Sequence, residues 1–373
     1  MFVKNNVEKW KSIPINLAVI GETGVGKSTF INTIRNLLDD DEGSALVGVV
    51  QTTKIPTPYN HPENENLKIW DLPGFGTADF PKSTYMKNIE AEKFDFFLIL
   101  SSSRFKLDDV WLAEEIKKTN KTFFFVRTMV DRNIKDVNGR RTNKIPETKL
   151  LDDISKECRA GLRSGGFDDA DIGLFLIDSH TPNRYEFGKL GRELINAAPE
   201  KKRDALTLSI TTLTSEMIEE KKILLEKRIW YFAVSSGVVG GIPIPGLGVV
   251  FDAALLVEEA IRYRNQFGLN EKGLQKVAKW LKKPVEDLKS SLELKSPGIS
   301  LTVKGMIVFF RNYVGAEAVE NAARYGIPII GSILASGVSF WSTRNCLQKL
   351  LEMMYEDAMK IQQVILETLT TEL

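Results

Sequence analysis

The run Gly21-Glu22-Thr23-Gly24-Val25-Gly26-Lys27-Ser28 has the residue types and the spacing to hold a polyphosphate. Its glycines let the main chain curl so that successive N–H groups converge on phosphate oxygens, and the N-terminus of a following helix reinforces them. Lys27 would reach the terminal phosphates, and the Ser28 hydroxyl would hold Mg²⁺. Thr29, next in the turn, completes the candidate phosphate contacts. The flanks supply the setting this chemistry requires. Ile15–Ile20 reads as a buried strand, and Thr29–Ile34 as the first turns of a helix. A glycine-rich strand-to-helix turn that binds nothing is the plainer alternative.

A second element stands at a fitting distance. Asp71-Leu72-Pro73-Gly74 closes the apolar run Leu67–Leu72 and matches D-x-x-G. Its carboxylate would hold a water on Mg²⁺, and the Gly74 N–H would sense the γ-phosphate. The same tetrapeptide is also good turn chemistry. Between the two elements, Gly48–Lys54 should present a threonine to Mg²⁺ and the γ-phosphate. Thr53 is the choice and Thr52 the runner-up, although adjacent threonines before a strand are ordinary β sequence.

Base selection is expected from Thr128-Met129-Val130-Asp131, directly after the strand Thr122–Arg127. A carboxylate accepts from both N1–H and the 2-amino group of guanine, and adenine offers no such donor pair. The usual pattern is [NT]-K-x-D, so Met129 stands where a lysine would tie the base loop to the phosphate loop. Guanine preference should survive with weaker affinity. Asp178-Ser179, after the strand Leu174–Ile177, could offer backbone N–H to guanine O6. Many hydrolases of this type carry a water-orienting glutamine just after D-x-x-G, and here that position is Phe75. The isolated domain should therefore turn over slowly. Glu22 and Arg104 are the charged candidates for assisting hydrolysis, and each could equally be a solvated surface charge.

These residues need elements to position them. Ile15–Ile20, Leu67–Leu72, Phe94–Ser101, Thr122–Arg127 and Leu174–Asp178 are apolar throughout, as in parallel strands covered on both faces. Their alternation with helical segments predicts an α/β, doubly wound, mostly parallel sheet. After Pro199 the pattern becomes helical. Leu206, Ile210, Leu213, Met217 and Leu224 make one apolar stripe, and Leu347, Leu351, Met354, Ala358, Ile361 and Ile365 another. Glycine–proline corners at 240–248, 297–298 and 326–331 separate the helices. The expected organisation is a short segment 1–13, a nucleotide-binding domain 14–200 and an all-α helical domain 201–373.

Bulk properties narrow the functions. The 373 residues exceed one ordinary core, and the 43% of apolar residues suit packed interiors. Lys and Arg (50) almost cancel Asp and Glu (49), which argues against a nucleic-acid partner. Cys158 and Cys346 show no metal-ligand spacing and read as reduced thiols of a cytoplasmic protein. The beginning has no secretory h-region, so the chain is not expected to be secreted, and Phe2 excludes N-myristoylation. Two apolar stretches, 230–257 and 327–341, read as buried hairpins because prolines, glycines and Asp252 interrupt the first and the second is too short to span. No transmembrane helix is expected.

Taken together, the motifs resemble those of the immunity-related GTPases, the interferon-inducible p47 type. The matching stretches are GETGVGKSTFINTIR at 21–35, WDLPGFGTADFPKSTY at 70–85, FDFFLILSSSRFK at 94–106 and FFFVRTMVD at 123–131. IPIPGLGVVFDAALL at 242–256 and IPIIGSILASGVSF at 327–340 are similar to that family's hairpins. The resemblance implies a P-loop GTPase domain followed by a helical domain, with GTP and GDP as substrate and product. It further implies GTP-dependent self-assembly, with related GTPases as further partners, and peripheral action on intracellular membranes in cell-autonomous immunity. The glycine-lysine-serine phosphate loop places the chain in the effector-like branch. Met129 departs from the family's lysine, Asp178-Ser179 from its serine–asparagine element, and the family's longer N-terminal helical segment has no counterpart before the first strand.

Lys272–Lys283 sets Leu274, Val277 and Leu281 on one face with lysines around the rest, which suits either an anionic membrane or an ordinary packed surface helix. Val303–Tyr313 carries the same two readings. A nucleotide-binding module without turnover and an ATP-dependent enzyme are the competing functions.

Overall fold

The computed structural model describes residues 9–48, 55–75, 79–139, 141–168, 172–210, 214–239, 247–314 and 338–371. The chain forms two compact units, Met1–Met217 and Ile218–Leu373.

The first unit is built on a six-stranded sheet of β1 (Ile15–Gly21), β2 (Thr57–His61), β3 (Asn64–Asp71), β4 (Phe96–Ser101), β5 (Thr122–Arg127) and β6 (Leu174–Leu176). Its order is β2-β3-β1-β4-β5-β6, with every pair parallel except β2–β3. β1 and β4 are buried almost throughout, because helices cover both faces and leave no solvent side to alternate toward. The chain leaves β1 for β3 on one side and for β4 on the other. That reversal opens a crevice at the carboxyl ends of the strands, where open α/β sheets bind ligands.

The helices of this unit are α1 (Lys27–Ile34), α2 (Leu107–Lys118), α3 (Val130–Asn138), α4 (Glu147–Ser164), α5 (Phe187–Ala197) and α6 (Glu200–Ser209). The doubly wound, mostly parallel sheet expected from the apolar runs is thus present. The strand the sequence did not signal is β2, whose residues Thr57-Pro58-Tyr59-Asn60-His61 are polar and contain a proline. It runs antiparallel at the sheet edge, where a residue without an N–H is tolerated. The stripe expected to run from Leu206 to Leu224 is divided between two helices. Ile210 leaves helical geometry (φ −59°, ψ 134°) and ends α6, and Leu213 lies outside the described residues.

The second unit is helical. Its elements are α7 (Ser215–Val239, whose first turn contains the division), α8 (Leu247–Gln266), α9 (Glu271–Leu281), α10 (Val285–Ser291), α11 (Val303–Val314) and α12 (Val338–Thr371). The α12 stripe Leu347, Leu351, Met354, Ala358, Ile361 and Ile365 is buried, and α8 packs on both α11 and α12. Asp357 of α12 accepts from Lys295 N (3.1 Å) and Ser296 N (2.6 Å), fixing the turn that follows α10. Most of the corner at 240–248 and all of that at 326–331 lie outside the described residues. Among the described residues, no helix is long and apolar enough to cross a membrane.

Candidate functional site

The phosphate loop joins β1 to α1, and two of its glycines do what other residues would resist. Gly24 and Gly26 have φ of 83° and 85°, left-handed backbone that a side chain would strain. Gly26 is also the N-cap of α1, so the loop feeds straight into the positive end of a helix. Val25 is buried, whereas Glu22, Thr23 and Gly24 are exposed and Lys27, Ser28 and Thr29 are half-buried at the mouth. Lys27 Nζ donates to Gly21 O (2.9 Å) and Glu22 O (3.1 Å). Burial pulls its pKa below the ordinary lysine range, and the nearby Asp71 carboxylate opposes that shift.

Asp71 reaches the same place from the neighbouring strand. β3 is paired with β1 so that Val19 faces Asp71, and Leu72 N donates to Val19 O (3.0 Å). Its carboxyl end is therefore carried to the level of the phosphate loop, with Asp71 buried. Gly74 follows with ordinary φ, and among the described residues a Cβ there would meet nothing within 4 Å. Neither packing nor strain calls for glycine at this position. Close approach of a ligand to its N–H would.

Behind this segment lies an anchor that sequence reasoning missed. Tyr85 Oη donates to Pro73 O (2.9 Å) from a fully buried position, and burial raises the phenol's pKa far above the usual range. Phe75 turns its ring onto Tyr85 (centroids 5.5 Å) and Trp111 (5.3 Å), with Lys82 over Trp111 at 5.3 Å. A tyrosine eleven residues past an expected turn carries no signal for such a bond. Thr52 and Thr53 lie outside the described residues.

The base loop is held by contacts with the phosphate loop. Thr128 Oγ1 donates to Val25 O (2.7 Å), and the Arg127 guanidinium braces the turn through Thr128 O (3.0 Å) and Asn133 Oδ1 (2.7 Å). Met129 adopts φ 55° as the N-cap of α3, which throws its side chain back over the phosphate loop. A Cβ added at Gly26 would lie 3.4 Å from Met129 Cε. Asp131, in the first turn of α3, accepts no hydrogen bond from any described residue. Asp178 is buried and spends its carboxylate on its own turn, accepting from His180 N (2.8 Å) and Thr181 Oγ1. Ser179 O accepts from Thr33 Oγ1 of α1 (2.7 Å), so the last loop is tied to the helix that follows the glycine loop. Arg184 NH2 pairs with Glu147 Oε2 (2.7 Å) and fastens the end of that loop to the start of α4.

Strand ends and helix starts thus converge on one crevice with a curled glycine loop, an ammonium, a buried carboxylate and a second, open carboxylate. The arrangement suits a purine nucleoside polyphosphate. A family model described as Interferon-inducible GTPase (IIGP) matches residues 1–363. The chain belongs to the interferon-inducible GTPase family. Interferon-inducible GTPase 5 of Rattus norvegicus is 34% identical over 353 residues, covering 95% of this chain and 76% of that protein. Interferon-inducible GTPase 1 of Mus musculus is 34% identical over 297 residues, 80% of this chain and 71% of that protein. Immunity-related GTPase family M protein 1 of Mus musculus is 28% identical over 292 residues, 78% and 67% respectively. GTP is accordingly the nucleotide, and GTP hydrolysis the reaction, of this family member.

At the rim of this crevice, Glu22 is held by Lys106 (Nζ–Oε2 2.7 Å), with both side chains about half exposed. Arg104 and Leu107 are exposed beside them, Leu107 at 80%. α2 begins here, its first turn closed by Lys106 N donating to Asp109 Oδ2 (2.9 Å).

Proposed function

We propose that this protein binds GTP with Mg²⁺, hydrolyses it slowly as a monomer, and is stimulated when GTP-bound copies assemble. The observation that carries this reading is Phe75. The residue after Gly74 is an aromatic ring packed on Tyr85 and Trp111, so it offers no polar group to orient an attacking water. The missing group has to come from elsewhere. Glu22 and Arg104 stand exposed at the mouth, where a second copy could meet them, and Leu107 offers such a contact an apolar anchor.

Gly21–Thr29 would cradle the phosphates, and Lys27 would move from its loop carbonyls onto the terminal phosphate oxygens. Ser28 and Asp71 are a hydroxyl and a buried carboxylate at adjoining element ends, hard oxygen donors that fit Mg²⁺, and Thr53 is proposed with them. When bound, the ion supplies charge neutralisation at the β- and γ-phosphates. Thr128 and Asp131 would select guanine, with the turn at Asp178-Ser179 closing the pocket. The same reading places the protein in the cytoplasm and peripherally on intracellular membranes, acting in innate immunity with further copies of itself and related GTPases as partners.

Phosphate release per molecule, followed across a protein concentration series with GTP, tests this. Turnover should rise with concentration and vanish in Lys27→Ala. Turnover that stays flat would remove assembly from the account, and none at any concentration would leave a nucleotide-binding module without hydrolysis. GTP bound no more tightly than ATP would overturn the assignment to Asp131.

A further inference from the structure

We propose that one face of α9 docks this protein on an anionic lipid bilayer, a step that rests on the peripheral membrane association proposed above and names the surface responsible. α9 is locally well defined. Asn270 caps it by accepting from Gly273 N (2.8 Å), and Lys282 ends it with left-handed backbone (φ 54°). Leu274, Ala278 and Leu281 are buried, so the helix is seated on its own unit by that side.

At 3.6 residues per turn, Lys272, Lys276, Lys279 and Trp280 fall on an arc of about 100° opposite the seated side. Lys272 and Lys279 are exposed, Trp280 is 40% exposed, and the exposed Lys282 and Lys283 follow immediately. Among the described residues, Lys272, Lys279, Lys282 and Lys283 make no ion pair. The carboxylates nearby are turned to other work or stand apart. Glu271 lies off the arc, 3.9 Å from Lys289, while Glu286 pairs with the same lysine (2.8 Å) and Asp287 stands exposed on α10. The arc itself carries one sign of charge and one indole.

A merely solvated helix has no use for a half-exposed indole set beside Lys272, Lys279, Lys282 and Lys283. Tryptophan is favoured at the bilayer interface, where its apolar body and polar N–H are both satisfied, and lysines beside it are attracted to anionic headgroups. The apolar side of α9 is buried in protein. The helix would therefore rest on the headgroups by charge and one anchor, giving reversible, salt-sensitive attachment without deep insertion.

The test is co-sedimentation of the full chain with phosphatidylcholine vesicles containing 30% phosphatidylserine, against vesicles of phosphatidylcholine alone. Binding to the anionic vesicles is expected, weakening as salt rises. Lys272→Gln/Lys279→Gln/Lys283→Gln should lose about a hundredfold in apparent affinity, from about 1 kcal/mol per lysine. Trp280→Ser should lose several-fold, and the Lys→Arg triple should bind like the parent. A control removing equal charge elsewhere (Lys87→Gln/Lys149→Gln/Lys156→Gln) should bind unchanged. If the parent binds and the α9 triple binds equally well, this surface is wrong and membrane association stands. If the control triple loses as much as the α9 triple, net charge and not this face is responsible. If the parent ignores anionic vesicles, or is drawn to polyanions such as DNA just as strongly, both fall.

Discussion

Thr128 Oγ1 donates to Val25 O across 2.7 Å, so the residue that opens the turn into α3 is bonded to the floor of the glycine loop before α1. Both groups are buried, and removing the donor would strand the carbonyl at a cost of about 1–2 kcal/mol. Thr128→Val should loosen GTP and GDP alike by about fivefold to tenfold, read by titration with a fluorescent guanine nucleotide. Thr128→Ser, which keeps the hydroxyl, should stay within twofold of the parent.

Asp131 separates base identity from overall affinity. Its carboxylate is the one group at this turn able to accept from two guanine donors at once. Asp131→Asn replaces one acceptor with a donor and should cost about a hundredfold in GTP affinity while leaving ATP affinity nearly as it was. Equal losses for the two nucleotides would show that Asp131 only supports the fold of the loop.

Met129 gives a prediction of the opposite sign. Its side chain already lies against Gly26, so a lysine at this left-handed position would carry an ammonium over the phosphate loop carbonyls with no new strain. Met129→Lys should bind GTP and GDP several-fold more tightly than the parent, a gain of the size of one charge-assisted hydrogen bond. Calorimetric titration decides it.

The legible parts were those fixed by local chemistry. Gly24 and Gly26 announce left-handed backbone, Lys27 and Ser28 follow at a set spacing, and the apolar run Phe94–Ser101 reads as a buried strand, which the structure sets at Phe96–Ser101. What stayed hidden depends on contacts distant in sequence. Tyr85 reads as an ordinary aromatic until the fold sets it beneath Pro73, and Lys106 reads as a surface charge until β4 delivers it beside Glu22, 84 residues away. β2 was hidden because Pro58 forbids a central strand and only the assembled sheet shows that this one is at the edge.

Phe75 tests whether the segment after Gly74 takes part in chemistry by its side chain. The ring is partly buried against Tyr85 and Trp111 and carries no group that could transfer a proton. Phe75→Leu should lower the melting temperature by about 2–4 °C, for about 1 kcal/mol of lost aromatic packing in a unit of this size. Turnover at saturating GTP should change less than twofold. A collapse of turnover with the fold intact would mean that the ring positions the γ-phosphate sensor.

Asp109 makes stability depend on pH in a direction opposite to most carboxylates. Burial, with Glu22 and Asp108 nearby, pushes its pKa up to about 6, although the hydrogen bond from Lys106 N pulls the other way. A carboxyl whose folded pKa is raised stabilises the fold below its ordinary value near 4, and that contribution is lost as pH rises through about 6. Asn at this position keeps the bond from Lys106 N and carries no charge. Asp109→Asn should therefore match the parent near pH 4 and exceed it by on the order of 2 kcal/mol at pH 7.5, the gap opening between pH 4 and 6. Thermal melts of both proteins across that range read the difference directly. Parallel curves would mean that Asp109 ionises as easily in the fold as in the unfolded chain.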